Sequence, residues 1–447
     1  MEFFCTRTPF IDIYRYKNYV IFHFSKSDSN IIDWYLYSRV VMSVPSPITP
    51  SPQPQKYSLF FVIFSLAIGS FCIGTTEFVA MGLIQEIATD LNVSVPHAGY
   101  FISAYALGVM VGAPIIAILG AKIPRKTLLL GLMLFYGLAN AATAFATTPE
   151  AMLISRFIAG FPHGAYFGVA ALVAAELAGK QRRATAIAQV MMGLTIANVI
   201  GVPIATWLGQ QFGWKAGFEF SAVIAFITLI GVSLFVPNIP LQKTASIKAE
   251  LAGLKNINMW LTLSVGAIGF GGMFSVYSYV SPILTEYTHA DIRVVPIALA
   301  IWGTGMVIGG LVAGWLADKN LFKTIIGILI SSALAFVAAS FMMANLYTAI
   351  AALFLIGFTV IGLGGALQTH LMDIAGDAQT LAASLNHSAF NLANALGAFL
   401  GGWVLSHNMG WLAPIWVGFV LSLGGLAILL IALAYAKYSQ QKESVVS

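Results

Sequence analysis

Residues 58 to 436 form a succession of hydrophobic segments broken by short polar hinges, and the second half of that succession repeats the first. Ala117-Ile118-Leu119-Gly120-Ala121-Lys122, with Lys126 beyond it, returns 197 residues later as Gly314-Trp315-Leu316-Ala317-Asp318-Lys319 followed by Lys323. Asn198-Val199-Ile200-Gly201, with Trp207 beyond it, returns 196 residues later as Asn394-Ala395-Leu396-Gly397 and Trp403. Val95-Pro96 returns 200 residues later as Val295-Pro296. Three landmarks in one order at nearly one offset describe a duplicated half. A duplicated hydrophobic half makes two bundles that can rock against each other around a site between them, the arrangement of many secondary transporters.

Such a chain has to use the bilayer as its solvent. Hydrophobic residues make up 59% of it and charged residues 9%, against roughly 25% charged in a soluble domain. The formal charge of +5 does not point to nucleic acid, because the basic residues lie in hinges rather than in a patch. Cys5 and Cys72 are too few for a disulfide framework or a thiolate metal site.

Twelve spans of about 20 apolar residues fit the pattern. In the first half they fall near 58–85, 98–120, 127–147, 150–178, 184–209 and 216–236. In the second they fall near 257–284, 294–317, 324–344, 346–373, 381–406 and 412–436. The expected fold is all-α and polytopic: two six-helix bundles, 56–236 and 257–436, joined by a linker at 237–256 and followed by a tail at 437–447. Alternate hinges starting at Lys56 hold fourteen lysines and arginines, whereas the opposite hinges hold only Lys215 and Arg293. This bias predicts that both termini and the linker are cytoplasmic.

Residues 1–55 stand outside the pattern, with no apolar run of spanning length and no signal-peptide cleavage site. They read either as upstream sequence preceding a start at Met42, or as an unstructured extension.

No catalytic constellation competes with a transport reading. HExxH, the Walker loop, the G-x-S-x-G elbow and His/Cys metal spacings are all missing from the sequence. No cofactor is expected, and an ion gradient is left as the energy source. The expected partners are the bilayer, protons and a small-molecule substrate, with the chain acting as a monomer.

Several strings carry a family resemblance across residues 58 to 436. They are Gly74-Thr75-Thr76-Glu77-Phe78 in span 1, Arg156-Phe157-Ile158-Ala159-Gly160-Phe161-Pro162-His163-Gly164 in span 4, and Gly201-Val202-Pro203-Ile204-Ala205-Thr206-Trp207-Leu208-Gly209 in span 5. On these the chain resembles the major facilitator superfamily, and within it the bacterial twelve-span drug:proton antiporters of the sugar-efflux and purine-efflux permease group. The resemblance implies bundles related by a pseudo-two-fold axis, an inner-membrane location, and export of a sugar, nucleoside, purine or drug by proton antiport. Proton-coupled uptake or facilitated diffusion on the same fold is the alternative, with a membrane-embedded enzyme or lipid-handling protein behind it.

The resemblance also implies roles for particular residues. Gly193, Gly201 and Pro203 belong to a segment associated with antiporters, where they bend the helix; the simpler reading is close helix packing. The family's hinge after span 2 is altered here, with Ala117, Ala121 and Pro124 where Gly, Asp and Gly usually stand. The second copy keeps Gly314 and Asp318, so a latch from Asp318 to a helix start would be one-sided.

Charges within spans are costly, about 2.5 kcal/mol or more each at the bilayer centre. Glu77 and Arg156 sit at one expected depth, roughly 10–12 Å below the outer surface from helical rise. Each occurs in only one half: Tyr277 stands near the place of Glu77, and Leu353 at the place of Arg156. They read as a functional proton-coupling pair or as an anchor between two helices. His163, seven residues beyond Arg156, shares its helix face and reads as a relay or ligand contact, or as a neutral histidine bonded to a neighbouring helix. Tyr105, Tyr166, Tyr277, Tyr279, His370, His387, Asn391 and Asn394 are candidates to line a substrate cavity.

Overall fold

The computed structural model describes residues 58–120, 122–179, 182–239, 256–375 and 379–446, with four strands before them in the chain. Those strands are β1 (Cys5–Thr8), β2 (Ile11–Tyr16), β3 (Tyr19–Phe24) and β4 (Met42–Ser43), paired antiparallel in that order. β2 and β3 are rich in aromatic and β-branched residues, the composition that favours strands. The sequence reading expected an unstructured or upstream lead here, and most of residues 1–55 lies outside the described residues. So does most of the 237–256 linker.

Among the described residues, twelve helices are long and apolar enough to cross a membrane. In the first half they are span 1 (Leu59–Gly82), span 2 (Val95–Ile116), span 3 (Arg125–Ala144), span 4 (Pro149–Ala178), span 5 (Thr185–Phe212) and span 6 (Lys215–Phe235). The second half holds span 7 (Ile257–Tyr277), span 8 (Ile292–Lys319), span 9 (Leu321–Met342), span 10 (Leu346–Ile374), span 11 (Leu385–Ser406) and span 12 (Ala413–Ala436). Two ends differ from the sequence reading. Span 1 stops at Gly82 and gives way to a separate short helix, Ile84–Asp90. Span 7 breaks at Ser278-Tyr279 and continues through Val280–Pro282 into a wide turn, Ile283–Tyr287. Pro282 cannot donate a backbone hydrogen bond, which accounts for the irregularity. The last helix runs on through the expected tail to Val446.

Hinge residues explain where spans begin. Thr148 accepts from the amide of Ala151 ahead of span 4, with Pro149 at the first helical position. Asn320 and Asn345 cap spans 9 and 10 by accepting from the Lys323 and Tyr347 amides, each at 3.0 Å.

The duplication is written into the backbone. Asn92 and His289 precede spans 2 and 8 with φ of 52° and 56°, and Gly213 and Gly410 end spans 5 and 11 with φ of 92° and 86°; each pair lies 197 residues apart. Helix packing repeats at the same offset. Gly108 and Gly112 of span 2 seat against the backbone of Phe157 and Phe161 in span 4. Gly305 and Gly309 of span 8 seat in the same way against Phe354 and Phe358 in span 10. A Cβ at Gly108 would stand 2.0 Å from the Phe157 oxygen, and one at Gly305 would stand 2.4 Å from the Phe354 oxygen. Only glycine permits such an approach.

The halves meet along two seams, span 2 with span 11 and span 5 with span 8. On the first, Ser103 Oγ donates to the Ala395 carbonyl at 3.1 Å. On the second, Gly303 lies so close to Asn198 that a Cβ would come within 2.4 Å of its carbonyl oxygen. The site lies between these seams.

Candidate functional site

One end of the bundle carries the lysine- and arginine-rich hinges and is called the basic end; the other is the far end. Span 1 rises from the basic end and span 4 descends from the far end. Glu77, five residues before the end of span 1, and Arg156, seven residues after the start of span 4, therefore reach one level. Both are buried, Glu77 with 7% exposure and Arg156 with none.

They are neighbours but form no ion pair among the described residues. Arg156 Nη2 donates to the Thr76 carbonyl at 3.5 Å, one residue before Glu77. Its guanidinium lies over the Tyr105 ring, 4.2 Å from the centroid, and 5.3 Å from that of Phe218. Nε and Nη1 have no protein partner. Glu77 is instead engaged from the other half of the molecule: Asn394 Nδ2 donates to its Oε1 at 3.4 Å. The expected charge pair is thus a shared neighbourhood, with an amide rather than the guanidinium on the carboxylate.

His163 completes the first-half side. Its Nδ1 lies 2.9 Å from the Tyr105 hydroxyl, which lies 2.9 Å from that of Tyr136. Tyr136 donates in turn to the Ile73 carbonyl at 3.4 Å. Histidine, two tyrosines and a backbone oxygen of span 1 make a continuous buried chain beneath Arg156.

From the second half, Tyr277 packs edge-on against Phe78 and Trp302, with ring centroids 5.2 and 4.8 Å apart. Its hydroxyl is fully buried without a partner, and so are Trp302 Nε1, Asn391 Oδ1 and Asn394 Oδ1. Asn391 Nδ2 donates to the His387 carbonyl, and the His387 ring stacks on Phe167 of span 4 at 5.8 Å. Buried polar atoms left unbonded cost free energy unless water or a ligand meets them.

Three expected cavity residues lie elsewhere. The Tyr166 hydroxyl donates to Leu66 of span 1 at 2.8 Å, and that of Tyr279 to Ala398 of span 11 at 2.7 Å. These bonds hold helices together and leave no donor for a ligand. His370 sits on the Phe322 ring towards the basic end, 4.9 Å between centroids, away from Glu77.

The conformational motif divides. Gly193 and Gly201 face span 1, where a Cβ would come within 2.0 Å of the Ala67 oxygen and 2.2 Å of Thr75 Oγ1. Pro203 follows a wide turn, Ala197–Gly201, that loosens the helix where the proline removes a donor. Span 5 thus combines close packing against span 1 with an irregular turn just before Pro203. Gly314 has open space around it and Asp318 is exposed, bonded to nothing among the described residues. At the corresponding hinge of the first half, Arg125 pairs with Glu176 and Lys126 donates to the Ser233 carbonyl at 2.8 Å.

Other bonds between the halves gather at the far end. Gln85 Nε2 donates to Thr285 Oγ1 at 2.9 Å, and its Oε1 accepts from Ser281 Oγ at 2.8 Å. Gln210 donates to the Ile292 carbonyl at 3.0 Å. These bonds tie the halves together at the far end.

Sequence reasoning passed over Tyr136, Trp302 and Gln85. Trp302 carried a signal, since it stands 197 residues after Tyr105; a lone tyrosine or glutamine carried none.

The family model described as Major Facilitator Superfamily matches residues 66–379 and 263–445. The chain belongs to the major facilitator superfamily. "Inner membrane transport protein YdhP" of Escherichia coli (strain K12) is 37% identical over 377 residues, covering 84% of this chain and 96% of that one. A "Probable sugar efflux transporter" of Mannheimia succiniciproducens is 28% identical, covering 87% and 97%. The crystal structure of a point mutant of the nucleoside transporter NupG superposes with a TM-score of 0.69 at 14% identity, covering 84% of this chain and all of that one. This major facilitator is a multi-pass transporter of small solutes, not an enzyme. Its twelve spans form the two pseudo-symmetric bundles that the backbone repeat describes.

Proposed function

We propose that this major facilitator exports a small organic molecule across the bacterial inner membrane in exchange for protons, with Glu77 as the group that carries the exchanged proton. One observation carries the reading: a carboxyl group is buried between the halves, held by an amide of the opposite half, with a guanidinium next to it but not paired to it. Burial and a nearby positive charge push a carboxyl group in opposite directions, so a small change in surroundings between two conformations suffices to load or release a proton. Arg156 tunes that balance. His163, on the tyrosine chain towards the basic end, is the relay between Glu77's level and that side. Asp318 acts as a one-sided latch in the conformation opposite to this one.

Export is supported by the relative named as an efflux transporter. The bias of basic residues towards one set of hinges supports cytoplasmic termini and an outer far end. The unbonded polar atoms of Arg156, Tyr277, Asn391 and Asn394 suit a sugar, a nucleoside or purine, or an amphipathic drug.

The test is proton movement in inverted membrane vesicles. Adding substrate releases protons from acidified vesicles carrying the wild type. Glu77→Gln keeps the shape without the titratable group, so expression persists and coupled movement stops. Wild-type proton movement in Glu77→Gln, or protons and substrate moving in the same direction, sinks the reading.

A further inference from the structure

Asn394 offers Glu77 more than the single bond it makes. A primary amide presents a donor and an acceptor side by side, and here only the donor is used. Nδ2 reaches Glu77 Oε1 at 3.4 Å, while Oδ1, fully buried, has no partner. That is the pattern of an amide facing a carboxylate, which can only accept. A protonated carboxyl group facing the same amide makes two bonds in a closed ring: amide N–H to carboxyl oxygen, and carboxyl O–H to amide oxygen.

We infer that Asn394 is the positioning residue that reads the protonation state of Glu77 and converts it into closure of the two halves. Glu77 takes one proton on Oε2 and becomes neutral; the new O–H donates to Asn394 Oδ1, and no other bond breaks. The loaded state is held across the halves by two hydrogen bonds, the unloaded state by one, with a carboxylate oxygen and the amide oxygen left facing each other. Leaving a buried acceptor unmet is costly, and filling it is the stabilising event.

The placement makes the reading effective. Glu77 lies on span 1 of the first half and Asn394 on span 11 of the second, so the ring spans the boundary that must open. Eight residues beyond Glu77 the chain reaches Gln85, whose bonds to Ser281 and Thr285 tie the halves together at the far end. The titratable groups facing Glu77 are Arg156 of span 4, Tyr105 of span 2 and Tyr277 of span 7. None of them belongs to span 11, where Asn394 is the residue that hydrogen-bonds the carboxyl group.

The inference rests on the proton role proposed for Glu77, and the experiment separates the two. Spin labels at Thr147→Cys and Ala344→Cys occupy equivalent exposed hinges at the far end, 197 residues apart; Cys5 and Cys72 are replaced by alanine. Electron–electron distances are read in detergent at alkaline and mildly acidic pH. Acid shifts the wild type towards the short distance, the closed-to-open ratio rising about fivefold to tenfold, as one net hydrogen bond supplies. Glu77→Gln, whose amide donates to Oδ1 permanently, gives the short distance at both pH values. Asn394→Ala and the bulkier Asn394→Leu lose the pH response while remaining monodisperse. If Glu77→Gln still responds to pH, the proton role of Glu77 fails. If Glu77→Gln is pH-blind but either folded Asn394 variant keeps the wild-type response, Asn394 is not the reader and the inference is overturned.

Discussion

Tyr105 and Trp302 occupy equivalent places in the two halves, 197 residues apart, and each backs onto a span glycine, Gly160 or Gly357. Only the tyrosine has a cation on its face. Where Arg156 stands in the first half, buried Leu353 stands in the second, and Trp302 Nε1 finds no partner. The halves share their construction at this level and differ in their chemistry.

Arg156→Lys keeps the charge but loses the planar group that lies over Tyr105. Transport should fall about tenfold, consistent with a buried cation–π contact of roughly 1–2 kcal/mol, while expression is unchanged. Substrate flux in vesicles checks this; wild-type flux in the lysine variant would leave Arg156 a generic positive charge.

The span-5 glycines and Gly314 should behave differently. Gly193→Ala forces a Cβ to within 2.0 Å of the Ala67 oxygen, and overpacking of this kind costs about 1–3 kcal/mol. Gly314→Ala adds a methyl group to open space inside a helix and should not destabilise, gaining up to about 1 kcal/mol in helix propensity. Thermal unfolding in detergent reads both. Equal losses would show that Gly314 packs against something in another conformation.

Pro203→Ala restores a backbone donor next to the wide turn Ala197–Gly201. The turn should tighten into regular helix, slowing transport without lowering thermal stability. Unchanged turnover would assign the irregularity to packing against span 1 alone.

Asp318→Asn should leave thermal stability within about 0.5 kcal/mol, because the exposed side chain has no partner among the described residues in this conformation. Turnover should still fall, since the latch proposed for Asp318 forms in the opposite state. Wild-type turnover would make Asp318 a solvated charge.

Much of the architecture is legible in the chain alone. Apolar length marks the spans, and the Asn198/Asn394 and Gly314 landmarks give the repeat. What could not be read is which partner a buried polar group takes. Opposite charges at one depth pointed to Glu77 and Arg156, yet the carboxylate is bonded by Asn394, 317 residues away. Tyr166 and Tyr279 look like cavity residues in a one-dimensional reading; a nearby helix carbonyl satisfies each hydroxyl, which only the packing reveals. The break after Tyr277 was hidden because the apolar run continues through it.

The glycine seats of spans 2 and 4, and of spans 8 and 10, have a mechanical consequence. Where backbone meets backbone with no side chain between, there is nothing to compress, so each pair moves as one stiff beam. A beam transmits displacement without loss along its length. A shift of a fraction of an ångström where span 2 meets span 11 therefore becomes a larger swing at the beam's ends, far from the glycine seats themselves.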